Sequence, residues 1–110
     1  MAKSDRRREL LAEYKERKVL AGIYRIVSRE SGFEHLDTAR DLESARGKFE
    51  FLRSTNTTSF MDKDLQNAIE AEGFDKFEFE VLETLEVKPD VSRQQLDSDL
   101  AELLELVRER

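Results

Sequence analysis

The 110-residue sequence contains no cysteine, and this absence excludes several kinds of chemistry at once. Disulfide bonds, zinc sites built on thiolates and cysteine nucleophiles all need a residue that the chain does not have. The absence also fits a reducing compartment. A chain of this length can still bury a modest core without a metal or a disulfide, so the composition predicts one domain that needs no covalent cross-link.

Long apolar runs are also missing from the sequence. A membrane-spanning helix needs about 18 or more consecutive apolar residues, so none is predicted. The first residues, MAKSDRRRELLAEYKERK, are charged and lack the apolar centre of a secretory signal. We therefore expect a cytoplasmic protein that does not contact a membrane.

Acidic residues outnumber basic ones, with 25 Asp and Glu against 19 Lys and Arg, and the formal net charge is −6. This balance disfavours nonspecific binding to nucleic acid, which depends on cations that neutralise phosphates. The charge is unevenly placed, because residues 1–60 carry most of the basic groups and residues 62–105 are strongly acidic. Ser4 is a predicted N-cap of a basic helix that reaches about Lys18.

Alternation and turn residues predict a hairpin followed by a helix. Val19 to Val27 places apolar residues on two faces and is a predicted strand. The polar turn at residues 28–32 ends in glycine, so residues 33–38 are its predicted antiparallel partner. Asp41 is a predicted N-cap, and the helix after it has an apolar stripe at i, i+3, i+7 and i+10: Leu42, Ala45, Phe49 and Leu52.

Two further helices and one strand are predicted in the second half. Ser59 with Asp62 resembles a capping box for a helix that stops before Gly73. Residues 74–85 alternate aromatic or aliphatic with acidic residues and predict a strand. Its core-facing residues are expected to be Phe77, Phe79 and Val81. Ser92 with Gln95 resembles a second capping box, and the helix after it carries the stripe Leu96, Leu100, Leu103, Leu104 and Val107.

The predicted fold class is α+β. The element order is α-β-β-α-α-β-α, and three strands need helices on at least one face to be stable. We therefore expect a small, mainly antiparallel three-stranded sheet flanked by helices. The expected division is a basic helix at residues 1–20 and a folded domain at residues 21–110.

The motif Gly22-Ile23-Tyr24 and its surroundings resemble the GIY-YIG domain of nucleases. Ser31-Gly32 falls where that family often has Asn-Gly, and Leu42 falls on the leucine of the family's helix. The run LQNAIEAEGFDKFEFEVLETLE is similar to the family's segment of a helix, a glycine and an aromatic strand. The resemblance extends over about residues 21–107.

This resemblance implies a nuclease site in which two tyrosines, an arginine and a glutamate-bound divalent ion hydrolyse a phosphodiester. Tyr24 stands at the first tyrosine. His35 stands at the second tyrosine, and His35-Leu36-Asp37 replaces Tyr-Ile-Gly. Ala45 falls at the arginine, with Arg46 one residue later.

The metal-binding part of the resemblance is weaker. The position of the family's glutamate falls near Leu104, with Glu102 and Glu105 on the solvent side of the leucine stripe. The position of a later family histidine holds Phe49. The family's later asparagine has no counterpart before residue 110.

Two functions follow from this comparison. The favoured hypothesis is a degenerate GIY-YIG domain without catalytic activity, which binds a protein or nucleic acid partner or serves as a scaffold and has no certain cofactor. The alternative is an active endonuclease that cleaves DNA with Mg²⁺ or Mn²⁺. Tyr24 and His35 would then transfer protons, Arg46 or Arg40 would contact the phosphate, and Glu105 or Glu102 would bind the metal. Nucleic acid contacts would come from Arg25, Arg40 and Lys48.

A third hypothesis places the function in the basic helix of residues 4–18, as an arm that contacts nucleic acid or a second subunit. Deleting residues 1–18 would then abolish partner binding and leave the fold intact.

Overall fold

The computed structural model of the protein describes residues 19–110, and the predicted basic helix of residues 4–18 lies outside the described residues. The described part contains three strands and three helices in the order β-β-α-α-β-α, which confirms the predicted α+β class. They are β1 (Leu20–Ser28), β2 (Glu34–Ala39), α1 (Leu42–Ser54), α2 (Lys63–Glu72), β3 (Phe77–Glu86) and α3 (Arg93–Arg108). No helix within residues 19–110 is long and apolar enough to cross a membrane.

The sheet has the order β2-β1-β3, with β1 in the centre and antiparallel to both neighbours. Tyr24 pairs with Asp37 on one side and with Val81 on the other. Ile26 pairs with His35 and with Phe79 in the same way. Because directly paired residues project to the same face of a sheet, one face collects the tyrosine of β1 and the histidine of β2.

That face is covered by α1 and α2, which build the larger core cluster with the sheet. Phe49 and Leu52 of α1 and Leu65 and Ile69 of α2 pack against aromatic residues of β3. Phe77 is fully buried there. The periodically spaced apolar residues of α1 and α2 therefore pack both helices against one side of the sheet, as their spacing predicts.

Two serines attach α2 to the hairpin turn. The buried hydroxyl of Ser28 donates a hydrogen bond of 2.6 Å to one carboxylate oxygen of Glu72, and the Ser31 hydroxyl donates one of 2.8 Å to the other oxygen. Both carboxylate oxygens of Glu72 are thereby bound. The end of the α1–α2 layer is fixed to the strand that carries Tyr24.

The other face of the sheet is covered in part by α3. Leu96 and Leu100 pack with Ala21 in a second buried cluster, joined by Leu85. Further along the same face, a charged network replaces apolar packing. Arg25 lies between Glu34 and Glu80, with nitrogen–oxygen distances of 2.6 Å to each.

The strand β3 differs from the sequence prediction at its start and in the burial of one residue. Residues Phe74–Lys76 form a turn of 3₁₀ helix, so the strand begins at Phe77 and not at residue 74. Val81 was predicted to face the core, but 38% of it is exposed. The buried cluster on this face ends at Phe79, so Val81 lies on the correct face of an edge strand but beyond the part that the helices cover.

Of the three predicted helix caps that lie within residues 19–110, two are confirmed. Asp41 caps α1 and accepts a hydrogen bond from the backbone N–H of Ser44. Ser92 caps α3 and accepts one from Gln95. The predicted cap at Ser59 is wrong, because α2 begins at Lys63 and is capped by Asp62. The carboxylate of Asp62 provides the acceptor there, so the upstream serine is not needed.

Candidate functional site

An open cleft of about 710 Å³ lies between β2, α1 and the loop that joins α1 to α2. Tyr24, Ile26 and Phe79 of the sheet line it, and the β2 strand contributes His35 and Asp37. Helix α1 contributes Ser44, Ala45 and Lys48, and the loop contributes Phe60 and Asp62. The cleft therefore contains both residues that the resemblance places at tyrosine positions, Tyr24 and His35.

Tyr24 lies half-buried in this cleft, with its ring stacked on Phe79 at a centroid distance of 4.7 Å. The pKa of Tyr24 is raised to about 12. Burial of the ring is the largest cause, followed by the charge of the Asp37 carboxylate and its hydrogen bonding. A tyrosine is protonated at neutral pH even with its ordinary pKa, and the raised pKa makes loss of the proton harder still. In that state it can donate a hydrogen bond, but it is a poor proton acceptor.

His35 lies beside the same carboxylate. Its Nε2 atom is 3.9 Å from an Asp37 oxygen, and 22% of its side chain is exposed. The two residues are separated by one position on β2, which places their side chains on the same face. Tyr24 and His35 thus share one acidic neighbour. The predicted proton-transfer pair is brought together by the fold.

Arg46 does not line the cleft. Its guanidinium lies over the ring of Phe79, with Cζ 5.2 Å from the ring centroid. Ala45, which falls at the arginine position of the family, does line the cleft. A guanidinium is therefore missing at the point where the resemblance places it, and the neighbouring one interacts with an aromatic face instead.

The three predicted nucleic acid contacts do not form one surface. Arg40 and Lys48 line the cleft, whereas Arg25 lies on the opposite face of the sheet. Arg40 also makes two hydrogen bonds to the Asp97 carboxylate of α3, at 2.8 and 2.6 Å. These bonds lower the pKa of Asp97 and occupy the guanidinium. Among residues 19–110, only Lys48 of the predicted trio has no carboxylate partner.

The predicted metal ligands lie elsewhere. Glu102 and Glu105 are on the exposed side of α3 and do not line the cleft, and Glu105 pairs with Arg108 at 3.5 Å. No group of three or more His, Asp or Glu side chains within the described range is arranged to hold a metal ion. Glu102 and Glu105 therefore do not fit the divalent ion that the resemblance implies.

The acidic groups that do line the cleft are already bound within the fold. Asp41 accepts hydrogen bonds from the backbone and hydroxyl of Ser44, and Asp62 accepts one from the backbone of Asp64. Asp37 accepts one from the N–H of Thr38. The carboxylates thus act as caps and local acceptors. Neutral donors do not cancel the formal charge of a carboxylate, so a ligand in the cleft meets all three aspartates.

Phe60 was not identified from the sequence as a site residue. It lies at the rim of the cleft, and 76% of it is exposed. The only signal in the sequence is its position, since it follows a polar run, STNTTS, and belongs to neither a strand alternation nor a helical stripe. An aromatic residue in such a place has no packing role that periodicity predicts.

Comparison with known proteins gives a similar solved structure, the catalytic domain of the homing endonuclease I-TevI. The two share 23% identity with a TM-score of 0.49, over 76% of this chain and 87% of that chain. No protein-family model matches the sequence, and no curated protein matches it.

Proposed function

We propose that this domain is a binding module which uses the cleft around Tyr24 and does not cleave phosphodiesters. The observation that carries the proposal is that Ala45, and not an arginine, lines the cleft at the position where the resemblance places the arginine. Tyr24 is a neutral phenol at neutral pH, as an ordinary tyrosine is, and its raised pKa of about 12 makes loss of the proton harder still.

Two further observations support an absence of catalysis. Charge that develops on a phosphate is normally stabilised by a fixed cation, and removing one such group typically costs about 10² to 10³ in rate. Here Arg40 is bound to Asp97 and Arg46 lies on Phe79, so neither guanidinium is free in the cleft. Several losses at one site leave little rate enhancement.

The cleft itself supports binding. It is open and of the size that small ligands or peptide side chains occupy. About half of its lining residues are apolar and the others are polar or charged, so it offers both apolar contacts and hydrogen-bonding groups to a ligand. The sheet and helices hold these walls in place through the larger core cluster.

The alternative of an active, rearranged nuclease has one observation in its favour, which is that Tyr24 and His35 line the same cleft. In that case His35 would accept the proton, since imidazole is the commonest general base in catalysis. Lys48 would be the free cation beside it.

A cleavage assay distinguishes these two functions. The full chain is incubated with supercoiled plasmid and with branched DNA in Mg²⁺ and in Mn²⁺, alongside Tyr24→Phe and His35→Ala. We expect no cutting above the buffer background by any of the three proteins. Cutting by the wild-type chain that is lost in Tyr24→Phe or in His35→Ala would contradict the proposal and establish the alternative.

A further inference from the structure

One rim of the cleft is a tight turn of residues 58–61, which we call the flap. The backbone N–H of Met61 donates a hydrogen bond of 3.0 Å to the carbonyl oxygen of Thr58, and this bond closes a four-residue β-turn. Phe60 is the third residue of that turn, and 76% of it is exposed. The flap therefore holds a large apolar ring in solvent at the mouth of a cleft whose wall includes Tyr24 and Phe79.

The flap is anchored at its two ends and loosely held between them. Before it, the N–H of Thr57 donates a hydrogen bond of 2.9 Å to the carbonyl oxygen of Leu52 in α1. At its end, Met61 packs against the larger core cluster. Within residues 19–110, the one other hydrogen bond of the flap runs from the hydroxyl of Thr58 to a carboxylate oxygen of Glu70 in α2, at 3.2 Å. This bond is exposed to solvent, so a single weak contact fixes the position of the tip.

We propose that the flap closes over the cleft by rotating about Met61, which brings the ring of Phe60 from solvent onto the apolar wall of the cleft. The hydrogen bond between Thr58 and Glu70 holds the flap open. Moving an apolar ring out of water is favourable, whereas an exposed hydrogen bond is exchanged for one to water at little cost. The open and closed positions are therefore close in free energy, and the flap controls access to the cleft whatever the cleft binds.

A second exposed phenylalanine differs from Phe60 in how the backbone holds it. Phe51 is 65% exposed and does not line the cleft. It belongs to α1, and its carbonyl oxygen accepts hydrogen bonds from the N–H and the hydroxyl of Thr55. The backbone of Phe60, by contrast, makes no hydrogen bond to any residue of the described range 19–110. Phe51 is therefore a matched control, since it has the same ring and a similar exposure but a fixed position.

Fluorescence tests the flap directly, because the chain contains no tryptophan. Phe60→Trp and Phe51→Trp each give the full chain one indole, whose emission wavelength and quenching by acrylamide report its exposure. Each is measured alone and combined with Thr58→Val, which keeps the shape of the side chain and removes the donor hydroxyl. We expect Thr58→Val to shift the emission of Phe60→Trp to shorter wavelength and to lower its quenching constant about twofold or more, because loss of the bond favours closure. Phe51→Trp should keep its values.

Two further variants separate the bond from a general loosening of α2. Glu70→Ala removes the acceptor of the same bond and should reproduce the effect of Thr58→Val on Phe60→Trp. Gln66→Ala removes the other side-chain donor to Glu70, at 3.3 Å, and should leave Phe60→Trp unchanged. Amide NMR spectra of each variant establish that it is folded.

An unchanged or larger quenching constant of Phe60→Trp in both Thr58→Val and Glu70→Ala would overturn the proposal, because the flap would then not close when its bond is removed. An equal change in Phe51→Trp, or the same change caused by Gln66→Ala, would also overturn it, because the variants would then loosen the helices and not the flap. Cutting of DNA by the wild-type chain contradicts the proposed function and leaves these results unaffected.

Discussion

At the scale of single residues, the central feature is the contact between a phenol and a carboxylate. Tyr24 and Asp37 face each other across β1 and β2, and His35 approaches the same carboxylate. Burial of the ring is the largest cause that disfavours phenolate, and the Asp37 carboxylate adds to it. Together they raise the pKa of the motif tyrosine above its ordinary value.

This contact predicts a measurable change in titration. Asp37→Asn removes the negative charge, so the pKa of Tyr24 is expected to fall from about 12 toward its ordinary value near 10, while burial keeps it above that value. An ultraviolet absorbance titration of phenolate measures it, and Tyr24→Phe distinguishes Tyr24 from the chain's other tyrosine. An unchanged titration in Asp37→Asn would show that the carboxylate does not act on the phenol.

The same shift has a consequence for stability at high pH. Folding raises the pKa of Tyr24 above its value in the unfolded chain. The contribution of the protonated phenol to the free energy of unfolding is therefore fully present below about pH 10. It is lost as the pH rises through about 12, because unfolding then releases a proton that the folded phenol retains. Tyr24→Phe is expected to remove this component of the decline in stability.

At the scale of elements, the sheet depends on one close approach between backbones. The pairing of β1 with β3 shifts in register between Ile23 and Tyr24. A Cβ atom on Gly22 would lie 2.0 Å from the carbonyl oxygen of Glu83. This glycine is therefore required by the proximity of the next strand, and the motif that begins with it has a structural reason apart from chemistry.

A pair of glycine substitutions tests that reason. Gly22→Ala is expected to destabilise the fold by about 1–3 kcal/mol or more, because the added methyl group meets backbone that cannot move aside. Gly47→Ala is its control, since a Cβ there meets nothing within 4 Å and the residue lies inside α1. That change is expected to stabilise by about 0.5–1 kcal/mol. Urea unfolding measures both, and equal effects would contradict the account.

The attachment of α3 gives a second prediction at this scale. Leu100 is 2% exposed and packs with Ala21 and Leu96, so Leu100→Ala is expected to cost about 2–5 kcal/mol of unfolding free energy. Leu106 is on the same helix but 58% exposed. Leu106→Ala is therefore expected to change the free energy of unfolding by less than about 0.5 kcal/mol. Chemical denaturation monitored by circular dichroism compares them. A small effect of Leu100→Ala would mean that α3 does not depend on this cluster.

Local patterns predict the elements well and their long-range contacts poorly. Alternation in β1 and β2 is enough to place Tyr24 and His35 on one face, since that depends only on strand pairing in a hairpin. The bond between Arg40 and Asp97 joins residues 57 positions apart, and it forms only after α3 has packed. No local pattern contains that information. From the sequence alone, Arg40 is predicted to be free to contact a phosphate. In the folded chain it is bound to Asp97.

The errors in the second half have similar causes. Ser59 and Asp62 are both good caps, and the choice between them depends on where the loop after α1 ends. Alternation places Val81 on the correct face, but burial depends on how far α1 and α2 extend across the sheet. The face of the strand on which a side chain lies follows from local alternation. The coverage of that face depends on helices that are distant in the sequence.

At the scale of the whole molecule, charge and fold lead to the same interpretation. A net charge of −6 opposes an extended polyanion, and the groups that a GIY-YIG site needs are either absent from the cleft or engaged elsewhere. The cleft is lined by apolar residues and by charged groups of both signs. These features support the proposed binding module, which does not cleave phosphodiesters.

The most direct measurement of this central claim is a titration of the full chain with Mn²⁺ followed by amide NMR, with Mg²⁺ as a diamagnetic control. We expect no saturable Mn²⁺ site at Tyr24, His35 and Asp37. The amide signals should show only weak, dispersed broadening along the exposed glutamates of β3 and α3. Saturable broadening confined to the cleft, and weakened by Asp37→Asn, would contradict it, because the cleft would then hold the ion that phosphodiester hydrolysis requires.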